Sequence, residues 1–355
     1  MTALLSRSGS PAVDSGKSRS RKLAVLLILA VSLLLVALAS VAIGARGIAL
    51  GTVFEALGHL DQIGKPGVDP SGDWAVVQTR VPRTVAGILV GACLGLAGTA
   101  MQGVARNPLA DPGILGVNAG AALSVIVAVV LFGVGTASGY VWFAFVGAAA
   151  AAVVVYAVAS LGREGATPVK LALAGAAISA GLASLLQALL ITNQGALNAF
   201  RNWQVGSVAG KNWDQVLAVL PFMLVGIGIV VFTDRWLNGL ALGDDLARGL
   251  GQNPALARGV TAVGIVLLCG AATALAGPVG FIGLVVPHLL RALIGTDYRW
   301  LLPYSVLTAP IILVSADVVG RVILLPGEVA AGVISVFVGA PVFIWLVRKR
   351  KAVAL

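Results

Sequence analysis

The sequence predicts an all-α integral membrane protein of about ten transmembrane helices with an inverted internal repeat. Composition is the first sign: 59% of the residues are hydrophobic, 11% are charged and the mean hydropathy is +1.00, values foreign to soluble domains. The second is a series of apolar runs of about 20 residues, the length a helix needs to cross a hydrocarbon core that offers no water to backbone groups. The third is a pair of matching stretches, GACLGLAG at 91–98 and GAATALAG at 270–277, related by a constant offset of 179 residues. The same offset pairs Pro108 with Pro287 and Gly116 with Gly295.

Residues 1–21 are polar, small and basic, and predict a disordered cytoplasmic tail. The apolar stretch that follows is too long for the hydrophobic region of a signal peptide and ends without a clear cleavage site, so it reads as the first span. Ten spans are expected, at 22–45, 81–103, 113–133, 140–161, 169–191, 213–234, 259–277, 278–294, 300–323 and 330–347. Together they make one domain over 22–347, with repeat cores at about 81–191 and 259–347 and a basic C-terminus at 348–355. The eighth span is short and carries Pro278, Pro287, His288 and Arg291. Pro108 and Pro112 likewise sit beside span ends, where freed carbonyls can face protein or a cavity.

Charge gives orientation. With the N-terminus inside, inner segments hold 17 of the 24 Lys and Arg. Outer segments keep Arg46, Lys65, Arg80, Arg83, Arg201, Lys211 and Arg321, the asymmetry of the positive-inside rule. Both termini are expected in the cytoplasm. The net charge of +10 is scattered over loops, which argues against a nucleic-acid partner. The first repeat copy then runs inward in span two and the second outward in span seven. Inverted repeats of this kind recur in pathways that open alternately to either side.

Few groups could do chemistry. Cys93 and Cys269 fall in different spans and read as buried thiols, and with no CxxC and only His59 and His288 no metal site is expected. The glycine-rich stretches lie in apolar helices, where glycine lets neighbours approach; no Walker lysine motif occurs. Asp317 stands four residues before Arg321, a spacing that favours an ion pair on one helix face over a proton-carrying role. An ion-coupled secondary transporter is the alternative function, but this chain has little near the bilayer midplane to couple with. An intramembrane enzyme would have only a serine with His288.

The loops are more specific. The inner loop 234–259 carries a helix-like stretch from Leu240 to Leu250, either a capped connector or the handle by which a cytoplasmic motor moves the spans. Outside, Arg80 and Arg83 flank Pro82, and Arg321 lies near the end of span nine. Arginines on the face that disfavours them suggest acidic partners.

RVPRTVAGILVGACLGLAGTAMQGVARNPLADPGILGVNAGAA at 80–122 resembles the signature of the FecCD-type permeases, transmembrane subunits of ABC importers for ferric siderophores, haem and cobalamin. So do W-x-x-GS at 203–207, LNGLALGDDLARGLG at 237–251, AGPVGFIGLVVPHLLRALIGTDYRWLLP at 276–303, and AD-x-x-x-R with P-x-E at 316–328. The resemblance implies the type II ABC importer permease fold in a bacterial plasma membrane. It also implies a second permease subunit, the same chain or a related one, two cytoplasmic ATPase subunits that use the ATP, and an extracytoplasmic binding protein. No cofactor is expected on this chain, and a ferric siderophore is the expected cargo.

Carried onto this sequence, the family's coupling loop makes Leu242, Gly243, Ala247, Leu250 and Gly251 the ATPase contact surface, with Asp244, Asp245 and Arg248 as polar partners. Arg80, Arg83 and Arg321 match outer-face arginines that receive glutamates from the binding protein. An inner gate is expected near 165–170, including Thr167 and Pro168. Gln102 and Asn107 are expected at the inner end of span two, lining the pathway or, for Asn107, capping the helix. Where the family reads E-L-P-V-G, this chain has Glu328, Val329, Ala330, Ala331 and Gly332, which leaves the turn before span ten open.

Overall fold

The structure, a computed structural model, describes residues 15–44, 46–58, 72–134, 136–161 and 167–353. Among them the chain forms α1 (Ser15–Ala42), α2 (Leu50–Gly58), α3 (Asp73–Val104), α4 (Val117–Phe132), α5 (Ala137–Ala159), α6 (Pro168–Thr192) and α7 (Gln194–Gln204). There follow α8 (Trp213–Phe232), α9 (Asp234–Ala241), α10 (Asp244–Gly249), α11 (Pro254–Ala276), α12 (Ile282–Ile294), α13 (Tyr298–Val322) and α14 (Ala331–Val353). The tail at 1–14, His59 and Lys65, and residues 165–166 of the expected gate lie outside the described residues.

Among the described residues seven helices are long and apolar enough to cross a membrane, and three shorter apolar ones, in α4, α12 and α14, fall at the third, eighth and tenth expected positions. The eighth span is corrected. α12 has 13 residues, which at 1.5 Å per residue is about 20 Å, short of the roughly 30 Å of a hydrocarbon core. Residues 277–281 are not helical, Gly277 being at φ 73° and Phe281 at φ 68°. The third span is also interrupted, a 3-10 turn at Pro112–Leu115 meeting α4 at Gly116. Span two begins early, at Asp73. α2 and α7 were not anticipated; α7 buries Ala196, Phe200 and Trp203, one stripe of an amphipathic helix.

Local chemistry explains the starts. Thr136, Thr167, Asn193, Asn253 and Asp297 each accept a backbone N–H of the first turn of the helix they precede, and Asn212 with Gln215 forms a reciprocal capping box.

α3 is the central helix. Gly91 and Gly95 let it lie against Pro310, Ala309 and Ser305 of α13, and Gly98 lets it meet the Gly283 backbone of α12. Thr99 and Ser305 share a buried hydrogen bond of 2.7 Å across the same seam. α1 runs parallel to α13: the Tyr304 hydroxyl donates to the Lys22 carbonyl at one end, and Arg321 donates to Ser40 at the other. The W-x-x-GS segment is a clasp. The Ser207 N–H donates to Ala276 O at the end of α11 (2.7 Å), and Gly206 O accepts from the Gly332 N–H at the start of α14 (2.9 Å). The departure at 328–332 leaves this turn closed, with the Val329 N–H on Gly320 O at 2.9 Å.

α3 and α11 run antiparallel, since the C-terminal side of α3 and the first turns of α11 meet at one residue, Asp244. The two repeat copies therefore point in opposite directions, as the sequence predicts. The ungapped offset does not extend beyond them: Pro108 lies in a turn, whereas Pro287 lies within α12.

A methyl group at Gly98 would collide with the Gly283 backbone, while Gly228 of α8 has nothing within 4 Å of its Cβ direction. Gly98→Ala is expected to cost about 1–3 kcal/mol through overpacking. Gly228→Ala is expected to be neutral or to gain up to about 1 kcal/mol of helix propensity. Thermal unfolding of the two variants in detergent compares them directly.

Candidate functional site

Functional groups gather at the two ends of the bundle. A helix C-terminus leaves four carbonyls without donors of its own. In α1 all four are satisfied. Ala39 O accepts from the Ile43 N–H at 2.8 Å, Ser40 O from Arg321, and Val41 O and Ala42 O from Arg80 Nη1 at 2.9 Å each. Arg321, only 1% exposed, also forms the expected ion pair with Asp317, its Nε 3.0 Å from Oδ2. Arg83 grips the other side of Asp317 with two parallel bonds of 2.8 and 3.0 Å, and its Nη1 reaches Glu328 at 2.8 Å. One carboxylate thus balances two arginines that stitch α3, α13 and α1 together.

Above this network opens a cleft of about 640 Å³, bordered by Arg46, Arg80, Arg83, Lys211, Arg321 and Glu328. The structure therefore brings the expected arginine trio together but divides its labour. Arg80 and Arg321 are buried, with their guanidinium donors on α1 carbonyls and Asp317, and so are not the surface an incoming acid meets first. Arg83 stands nearer the cleft, and Lys211, not singled out in the sequence, stands beside it.

Gln102 is corrected from pathway lining to a buried brace. In an unbroken helix the Gly283 carbonyl would accept from residue 287, but Pro287 has no N–H. Gln102 Nε2 takes that place at 3.2 Å, and Arg291 donates to Gln102 Oε1. Asn107 does not cap α3 with its side chain; its Oδ1 accepts from the Leu109 N–H at 2.9 Å and shapes the turn that follows. Thr167 caps α6, and Pro168 opens it at a position where its missing N–H costs nothing. Where the two interrupted segments meet, Thr273 donates to Asn118 at 3.1 Å, and Asp111 accepts the Gly113 N–H at 2.7 Å. Sequence reasoning passed over these three polar side chains because they lie near predicted span ends. Among the described residues no three His, Cys, Asp or Glu side chains cluster as a metal site.

At the opposite end the single helix expected over 240–250 is two, α9 and α10, broken at Gly243 (φ 104°). Leu242, Leu246 and Leu250 project into solvent, Leu246 at 61% exposure, beside a cleft of about 370 Å³ that includes Asp234, Arg235, Asp297 and Arg299. Leu246 was missed by the sequence reading. Ala247 is corrected, being fully buried on the inner face of α10. Gly251 (φ 78°) closes α10, where the Gln252 N–H reaches back to Ala247 O. Asp245 and Arg248 pair with each other on the exposed face at 2.9 Å.

Asp244 turns inward. It accepts from Arg258 of α11 at 2.6 and 3.0 Å and lies 3.2 Å from Arg106, just past α3. The Arg258 hydrogen bonds, helped by the charges of Arg258, Arg106 and Arg248 and opposed by desolvation, hold its carboxyl below the usual carboxylate range. A lowered carboxylate favours the folded state at neutral pH, and that contribution is lost only as pH falls through the lowered value.

A many-span helical bundle with interrupted helices, a basic cleft at one end and exposed leucines on short helices at the other defines a membrane permease. The chain belongs to the FecCD transport family, whose model matches residues 32–349. It is 39% identical to the probable siderophore transport system permease protein YfiZ of Bacillus subtilis, over 94% of this chain and 98% of that protein. It is 41% identical to the ferric enterobactin transport system permease protein FepD of Escherichia coli, over 92% and 94% respectively. Its fold matches a solved chain described as an inward-facing, metal-chelate type ABC transporter, with a TM-score of 0.78 and 28% identity, covering 92% of this chain and 99% of that one. The protein is thus a multi-pass ABC importer permease subunit, a transport component, and the ion-coupled alternative is set aside.

Asp317 is 2% exposed and carries two arginines. Asp317→Asn leaves both without their full counter-charge, and removing one partner of such a buried pair costs about 3–5 kcal/mol. The melting temperature of purified Asp317→Asn is expected to fall much further than that of Glu328→Gln, whose carboxylate is partly exposed.

Proposed function

We propose that this chain forms the translocation pathway of an ATP-driven importer for a ferric siderophore, with both termini in the cytoplasm of a bacterial plasma membrane. What carries the reading is the exposed Leu246 on α10 with Leu242 and Leu250, the residues that end α9 and α10, apolar side chains in a short connecting segment outside the spans, where solvent exposure needs a covering partner. Their partner is a cytoplasmic ATPase, two copies of which serve two permease subunits; the ATP is held and hydrolysed there, and this chain holds no cofactor. Gly243 lets the connection between the two helices turn, and Asp245 and Arg248 flank the leucines as polar contacts. The residues near 165–170, Thr167 and Pro168 among them, form the inner gate.

The basic cleft faces outward and receives an acidic extracytoplasmic binding protein. Arg83 and Lys211 meet its carboxylates, while Arg80 and Arg321 hold the α1 end beneath. Charge of this kind chiefly orients the encounter and raises its rate. The cargo assignment is supported by relatives named for siderophore and ferric enterobactin transport.

Co-purification with a cognate ATPase subunit, followed by ATP hydrolysis in lipid with the binding protein and ferric enterobactin or ferric citrate as probes, tests this reading. Leu246→Asp is expected to leave the permease folded and to abolish ATPase association or its stimulation. Full stimulation in that variant would refute the contact. Lys211→Glu is expected to weaken docking of the binding protein, most visibly in the association rate at low salt, with no change in melting temperature.

A further inference from the structure

The end of α3 carries an arginine where its geometry asks for glycine. The Asn107 N–H bonds Gln102 O and the Arg106 N–H bonds Gly103 O, each at 3.2 Å, the paired bonds of a Schellman motif. The residue at the turning point of that motif takes a left-handed conformation, and Arg106 stands there at φ 48°. α10 ends on the same motif with Gly251 in the equivalent place. A side chain is kept at 106 against its backbone preference, which directs attention to what the side chain does.

What it does is reach Asp244. That carboxylate opens α10, the short helix that carries the exposed Leu246, and it also binds Arg258 in the second turn of α11. α10 is thereby tied to both central antiparallel helices through one residue. Beyond Arg106 the chain runs straight into the interrupted segment 107–118, which packs on α12 and α11 through Pro112, Asn118 and Thr273. α9 is tied elsewhere, to the start of α13, by Asn238 on Asp297 at 2.8 Å.

We propose that Arg106 and Asp244 are positioning residues that carry a displacement of α10 into the 107–118 segment, so that the outer surface of α10 meets the ATPase while its inner carboxylate moves the pathway. This rests on the ATPase reading above, and it reassigns Asp244 from contact with the partner to linkage within the chain. Arg248, on the exposed face, is hydrogen-bonded to Asp245 instead.

The test is hydrogen–deuterium exchange of the whole complex with its ATPase, with and without a non-hydrolysable ATP analogue, for wild type, Arg106→Gly and Arg106→Lys. Glycine suits the turn, so Arg106→Gly is expected to melt at or above the wild-type temperature. In wild type the nucleotide is expected to change exchange over 107–118; Arg106→Gly loses that response, and Arg106→Lys, which keeps the charge, retains it. A response that survives Arg106→Gly, a lowered melting temperature in that variant, or no response over 107–118 in wild type would each overturn the link. Failure of any ATPase to bind wild type would instead sink the importer reading, and the link with it.

Discussion

Carbonyls that a helix end or a proline leaves without donors must be satisfied from within the protein when no water reaches them, and this demand organises the bundle. At the end of α1 it is met by Arg80 and Arg321, whose guanidinium groups supply several donors each in a fixed geometry. Bringing those charges inside then requires Asp317, which holds Arg321 and Arg83 at once. At the kink of α12 the same demand is met by a neutral group, Gln102. The result is one end locked by ions and a middle braced by an amide.

α3 transmits these arrangements along its length. Its glycines permit backbone approach to α13 and α12, so the helix sits within contact distance of nearly every functional feature. Thr84 near one end bonds Ser40 of the α1 terminus, Gln102 braces α12, and Arg106 at the other end meets α10. A densely packed helix of this kind moves as a rigid element, so a shift imposed at one end is felt at the other. The interrupted segments beside it are where such a shift can be absorbed.

Legibility in the sequence followed the range of the interaction. Apolar runs and the Asp317–Arg321 pair are local, and each reads correctly from neighbours within a few residues. The eighth span did not, because an apolar run with two prolines looks the same whether it forms one continuous helix or an extended lead-in followed by a short one. The connecting loop was read as one helix because hydrophobic spacing continues through Gly243; the positive φ there is visible only in three dimensions. Ala247 and Leu246 are adjacent on a six-residue helix, and nothing in their order says which is buried.

The sequence by itself determined that this is a polytopic helical membrane protein, that its two halves are related in opposite directions, and, through its long motifs, which family it belongs to. These follow from composition, periodicity and local order, quantities that do not depend on which helices touch. Tertiary structure alone decided what the arginines and acids do. Arg80, Arg83 and Arg321 look alike in the sequence, yet two are buried against carbonyls of a helix some 40 and 280 residues away, and the third divides itself between Asp317 and Glu328. Asp244 and Asp245 are neighbours, yet one is bound to α11 and the other lies in solvent. A charged side chain takes its role from the partner that neutralises it, and in this chain most of those partners are distant in sequence.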